Sequence, residues 1–264
     1  MKKYILLLIL SMLAISVVAG SILPASEQYH KPKIRVGTSS GYSTNWAGYA
    51  LDGPTGSVND VKGSWKVPAV TCSKKSNTYS AFWVGIDGDN SNTVEQIGTS
   101  SDCRNGKPTY YAWYEFYPAY PVNNILSVSP GDNISAEVSY DATSNLFTVS
   151  MKNLRTGQTY STSSAVSNAQ RNSAEWIAEA PSSMRGVLPL ANFGIAYYGY
   201  DYIGDINTNY ATVNGVTGNI SSFSPPGLVN VNTITMVSYS GRLKALPSVI
   251  TPDGTSFSVK WYSS

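Results

Sequence analysis

The residues of this chain best suited to chemistry lie in two short tracts. One is Trp83-Val84-Gly85-Ile86-Asp87-Gly88, followed by Gln96 in Val94-Glu95-Gln96-Ile97-Gly98. The other is Ala174-Glu175-Trp176-Ile177-Ala178-Glu179. They set an amide side chain and a carboxylate beside tryptophan. A carboxylate can take a proton from water and return it to a leaving amine. A fixed amide N–H can support the oxyanion that forms in between. Those two groups can hydrolyse an amide bond without serine, cysteine or metal.

The lone histidine removes most competing machinery. His30 stands in Glu27-Gln28-Tyr29-His30-Lys31-Pro32, ahead of any strand-like pattern. Ser-His-Asp and Cys-His sites need a histidine held by the folded scaffold. No H-E-x-x-H, G-x-S-x-G, phosphate loop or dinucleotide fingerprint occurs. Two cysteines and one histidine cannot complete a four-ligand zinc site. No cofactor is expected.

These groups need elements to position them, and composition points to strands. The 264 residues include 19 tyrosines, with 42% hydrophobic and only 13% charged residues. Aromatic and β-branched residues suit pleated sheets. The formal charge of +2 offers no basic patch for nucleic acid. So few carboxylates limit the repulsion and protonation that unfold proteins in acid.

Residues 1–20 read as an export signal: Lys2 and Lys3, an apolar run from Tyr4 to Val18, and small residues at Ala19 and Gly20. That run is short for a membrane span, so no stable membrane association is expected. Residues 21–40 read as a short propeptide or flexible leader. In an exported chain an even cysteine count suggests a disulfide, here Cys72 with Cys103. The expected protein is secreted and monomeric.

From 41 to 264 the chain reads as one domain. Strand patterns at Gly63–Val67, Tyr79–Ile86, Tyr110–Tyr117, Ile134–Tyr140, Leu146–Lys152 and Phe257–Tyr262 alternate with Gly, Pro, Asn and Asp turns. Ala165–Arg171 is the one short helical turn expected. Many such strands imply an all-β sandwich or barrel. Along Ser173–Ala180, alternation puts Glu175, Ile177 and Glu179 on one face and Trp176 and Ala178 on the other. Tyr111, Trp113, Glu115 and Tyr117 likewise share a face. Carboxylates among aromatics make a poor core and a good groove lining.

These tracts resemble those of the glutamic peptidases, or eqolisins (peptidase family G1). The likeness extends to Asn45-Trp46-Ala47-Gly48-Tyr49, Gly63-Ser64-Trp65-Lys66-Val67-Pro68 and Tyr111-Ala112-Trp113-Tyr114-Glu115-Phe116-Tyr117-Pro118. The family more often has valine where Ala178 stands. The placement of both cysteines and the Glu95-Gln96 tract look more like prokaryotic members. The resemblance implies two large curved antiparallel sheets, packed face to face in a concanavalin A-like or jelly-roll manner, with a substrate groove on the concave side. It implies an acid endopeptidase acting on proteins or peptides below neutral pH. Glu179 then matches the general base and acid, and Gln96 the oxyanion donor. Trp83, Asp87, Trp113, Glu115, Tyr111 and Glu175 become supporting or substrate-binding residues. Asp87 either orients Gln96 or caps the Ile-Asp-Gly turn, and Glu175 lines the groove or pairs with a Lys or Arg. Glu95 points to the opposite face and takes no catalytic part.

The alternative is a carbohydrate-active sandwich, either a glycoside hydrolase or a lectin-like module. Glu175 and Glu179 share a face, but four residues of strand span about 13 Å. A glycosidase carboxylate pair needs about 5–9.5 Å, and the lectin-like module leaves Gln96 without a task.

Overall fold

The computed structural model describes residues 34–35, 41–74, 76–206, 208–223 and 229–264. The 1–20 signal, His30 and all of the 21–40 leader except Ile34–Arg35 lie outside the described residues. Those two residues pair antiparallel with Tyr42 and Ser43.

The alternating tracts are strands. Asn133–Asp141 and Leu146–Asn153 bury every second residue over most of their length. Tyr79–Ile86 begins two residues later than expected, as Ala81–Ile86, while Tyr110–Tyr117 lengthens to Lys107–Tyr117. The one helical turn expected from sequence, Ala165–Arg171, is absent. Asn168 and Arg171 take left-handed φ values of 66° and 48°. The backbone N–H groups of Gln170 and Arg171 are held instead by the Asp87 carboxylate, at 2.7 and 2.8 Å. A distant acid has captured the donors a helix would have used.

The strands form a two-layered, predominantly antiparallel β-sandwich, as expected. The front layer runs, in spatial order, Asn230–Val237, Trp46–Asp52, Ser173–Glu179, Ala81–Ile86, Val94–Arg104 and Lys107–Tyr117. The back layer runs Phe257–Trp261, Ile195–Tyr198, Val58–Lys66, Asn133–Asp141, Leu146–Asn153 and Thr159–Ser164. Leu243–Pro247 pairs with an edge strand of each layer, so backbone hydrogen bonding is continuous around that side. At the far side, rings meet across the gap instead: Tyr114 stacks on Tyr160 with centroids 5.6 Å apart.

The main core fills the space between layers and includes Trp65, Phe82, Val84, Ile97, Trp176, Tyr198 and Phe257. Two indoles stitch across it. Trp176 Nε1 donates to the Lys62 carbonyl and Trp65 Nε1 to Thr99 Oγ1, both at 2.8 Å. Trp176 thus lies on the face that alternation assigned it, which sends Glu175, Ile177 and Glu179 to the other. Gly63 makes this packing possible: a Cβ there would meet Val84 Cγ1 at 2.3 Å and Trp176 Cδ1 at 2.9 Å. Cys72 and Cys103 form the expected disulfide, fastening the loop before Ala81 to the Gln96-bearing strand.

Gly63→Ala should overpack this contact and lower stability by about 1–3 kcal/mol. Urea denaturation checks it; an unchanged midpoint would mean the two layers slide freely.

Candidate active site

Four neighbouring strands of the front layer carry the candidate residues, and their register fixes the layout. Glu175, Gly85, Gln96 and Glu115 stand on one rung. Ile177, Trp83, Gly98 and Trp113 stand on the next, two residues along. Glu179, Ala81, Ser100 and Tyr111 stand on the one beyond. Gln96 and Glu179 are therefore two strands and two rungs apart, too far for their backbones alone to bring them together.

The Trp83 indole spans that diagonal. Its Cζ3 lies 2.9 Å from where a Gly85 Cβ would be, and the same Cβ would be 3.2 Å from Gln96 Cβ. At its other end Nε1 donates to Glu179 Oε2 at 2.8 Å. Glycine at 85 lets the ring lie against the strand beside Gln96. Trp113 uses Gly98 in the same way, with Cζ2 2.8 Å from the absent Cβ. Trp46 meets Trp83 edge-on, centroids 4.9 Å apart. With Ala50, Ala81, Val94, Ile177 and Ile234 these indoles make a second apolar cluster on the outer side of the front layer.

Glu179 is held by neutral donors. Besides Trp83, Asn45 Nδ2 reaches Oε1 at 3.3 Å, and the Ser43 hydroxyl donates to Asn45 Oδ1 at 2.9 Å. Asn45 is a site residue that sequence reasoning missed. It stood in a recognised tract, Asn45-Trp46-Ala47-Gly48-Tyr49, but an Asn before a strand reads as a turn residue.

Gln96 Nε2 donates to Glu115 Oε2 at 2.7 Å. That bond leaves the second N–H of the amide for another acceptor. Burial pushes Glu115 well above the usual carboxylate range; the Gln96 amide opposes this and the charge on Glu179 adds to it. Burial thus favours the protonated form of Glu115, which is joined to Gln96 by a hydrogen bond. Gln96 Oε1 and Glu115 Oε1 are buried with no hydrogen-bond partner.

Trp46, Trp83, Trp113, Gln96, Glu115, Glu175 and Glu179 are all buried, with 0% exposure. Two expectations need correction. Asp87 makes no bond to Gln96. Its oxygens accept from Thr93 Oγ1 and from the backbone N–H groups of Gln170, Arg171 and Asn172, at 2.7–3.2 Å. It staples the approach to the Glu179 strand onto the end of the Trp83 strand. Among the described residues Glu175 pairs with no Lys or Arg. Its oxygens have no hydrogen-bond partner, and burial raises it well above the usual range, with Ser173 opposing and Asp89, Asp87 and Asp52 adding.

Tyr111 stands at the margin, its hydroxyl donating to Asp102 Oδ2 at 3.0 Å; burial, then the Asp102 charge, raises it. Glu95 is fully buried. It alternates with Gln96, as expected, on the side of Ile97 and Thr99, which face the inter-layer core.

A β-sandwich carrying a glutamate and a glutamine on a tryptophan floor has the architecture of the glutamic peptidases. The family model described as the peptidase A4 family matches residues 44–219, and the chain belongs to that family. It is 33% identical over 186 residues to aspergillopepsin-2 of Aspergillus niger, covering 61% of this chain and 64% of that protein. It is 35% identical over 141 residues to scytalidopepsin B of Scytalidium lignicola, covering 52% and 51%. The chain thus spans less than two thirds of the length of either relative. In fold it is similar to the crystal structure of scytalido-glutamic peptidase with a peptide-based transition-state analogue: TM-score 0.64, 24% identity, covering 83% of this chain and 98% of that one.

The buried acids set a pH dependence. Burial, the Asp89 charge and an opposing Asn232 bond bring Asp52 to about 7, and burial brings Asp89 to about 6. Glu95, Glu115 and Glu175 are also raised. Unfolded, such groups titrate near 4. Between about pH 4 and 7 the folded chain therefore holds more protons than the unfolded one, and stability falls as pH rises. Asp132 and Asp253 run the other way. Although burial opposes it, hydrogen bonds lower both, and their contribution is lost as pH falls below about 4. The melting temperature should peak near pH 4 and decline toward pH 7, and Glu175→Gln should flatten that decline. A wild-type melting temperature that climbs between pH 4 and 7 would contradict it.

Proposed function

We propose that the protein is an exported acid endopeptidase in which Glu179 and Gln96 act as a catalytic pair. The disulfide and the signal-like residues 1–20 support export. Among the described residues no helix is long and apolar enough to cross a membrane.

One observation carries the reading: the Trp83 indole holds Glu179 at one end and lies beside Gln96 at the other. Glu179, fixed by Trp83 and Asn45, takes a proton from a water molecule. That water attacks the scissile carbonyl. The free N–H of Gln96 donates to the developing oxyanion, its direction set by Glu115. Such a donor can be worth about 3–4 kcal/mol at the transition state. Glu179 then gives the proton to the leaving amine. The buried setting strengthens each interaction. Because Gln96 does not titrate, its support persists in acid.

Digestion of an unfolded protein at acidic pH tests the pair. Glu179→Gln should abolish turnover, and Gln96→Ala should reduce kcat by about 100–1000-fold. Asn45→Ala should lower kcat with little change in KM, since it only orients Glu179. Full activity in Glu179→Gln would end the proposal, as would a wild-type rate peaking at pH 8.

A further inference from the structure

Gln96 and Glu115 are direct cross-strand partners, joined by one bond from Gln96 Nε2 to Glu115 Oε2 at 2.7 Å. Each partner has an oxygen left over. Gln96 Oε1 and Glu115 Oε1 are buried without a hydrogen-bond partner, on side chains with 0% exposure. Leaving a buried acceptor unsatisfied is costly, and here the two orphans sit on the two halves of one bonded pair. A carboxylate cannot relieve them, because it only accepts. A carboxylic acid can. It carries an O–H beside its carbonyl oxygen, as a primary amide carries an N–H beside its own. Two such planar groups match edge to edge, N–H to one oxygen and O–H to the other. A single proton on Glu115 Oε1, donated to Gln96 Oε1, satisfies both orphans at once.

The surroundings favour that proton. Among the described residues no Lys or Arg forms an ion pair with Glu115. Its own strand offers Tyr111, Trp113 and Tyr117 on the same face, and the neighbouring strand Val122–Asn123 has no ionisable side chain. On the other side stand Gln96, then Gly85, then Glu175, one rung across three strands. The charge that acts on Glu115 is that of Glu179, which opposes a second negative charge nearby. Burial acts in the same direction and more strongly.

We propose that Glu115 works as a carboxylic acid, closing a two-bond ring with the Gln96 amide that aims the remaining N–H at the oxyanion, and that loss of this proton sets the alkaline limit of activity. The inference rests on the peptidase reading and deepens it. Glu115 is a positioning residue: it touches Gln96 and not the substrate. Glu179 must be ionised to take a proton from water, while Glu115 must keep its own. Two carboxyl groups thus take two roles through their environments. The rate profile is bell-shaped, with the acid limb governed mainly by Glu179 and the alkaline limb mainly by Glu115. Because the two charges interact, each apparent limit belongs in part to both. Once ionised, Glu115 holds the amide by one bond only, and the amide plane can swing about it.

The test is kcat and KM for one neutral quenched fluorescent peptide from about pH 3 to about pH 7, with circular dichroism confirming the fold at each point. Glu115→Gln presents an N–H where the acid presented its O–H, and it does not titrate. At about pH 4 its kcat should stay within about threefold of wild type. One pH unit above the wild-type alkaline limb, it should exceed wild type about tenfold. Glu115→Leu should lower kcat about 100-fold across the range with KM little changed. An alkaline limb at the same pH in Glu115→Gln and wild type overturns the proposal, as does a Gln variant as slow as the Leu variant. Where Glu115→Leu fails to fold, the comparison of Glu115→Gln with wild type decides alone. Infrared difference spectra of wild type minus Glu115→Gln at about pH 5 give a readout independent of turnover. The carbonyl stretch of a protonated carboxyl sustains the ring, and carboxylate bands in its place overturn it. If no peptide is cut, the peptidase reading fails and the infrared result still decides whether the pair is protonated.

Discussion

The site depends on one hydrogen bond, from the Trp83 indole to Glu179. The sheet register leaves Gln96 and Glu179 on different rungs of non-adjacent strands. Only a side chain as long and rigid as tryptophan can border one and bond the other. It can do so because residue 85 is glycine and because Trp46 braces its edge. The donors on Glu179 include an indole and an amide, neutral N–H groups that orient the carboxylate.

The sequence made the strands legible because period-2 alternation is a local property. Trp176 and Glu175 had to face opposite sides once Ser173–Glu179 was a strand. The central residues were legible for the same reason, aided by tracts whose order resembles a known family. Relationships between strands were hidden. Nothing near Asp87 says that its carboxylate captures N–H groups 83 to 85 residues away, and that capture turned the expected Ala165–Arg171 helix into a left-handed turn. Nothing near Asn45 says that its partner is Glu179. Glu175 read as lining the groove or pairing with a Lys or Arg; here it lies near acids, fully buried.

That arrangement gives the low charge content a structural meaning. Of the few carboxyl groups in the chain, several are spent inside, at the end of the Trp83 strand and beneath the indoles. Their burial suits an interior that is neutral while protonated. The same acids would be a poor choice for a protein required to stay folded in alkaline surroundings. The pH dependence expected of the fold and the construction of the candidate site thus draw on one set of residues.

The two sides of the sandwich are closed differently. Leu243–Pro247 binds both layers through backbone ladders, while Tyr114 and Tyr160 meet through their side chains. The molecule is built like a book, with a spine along one border. The tyrosine margin lies on the strand that carries Glu115, so the side-chain clasp of the fold and the acid beside Gln96 share a single edge.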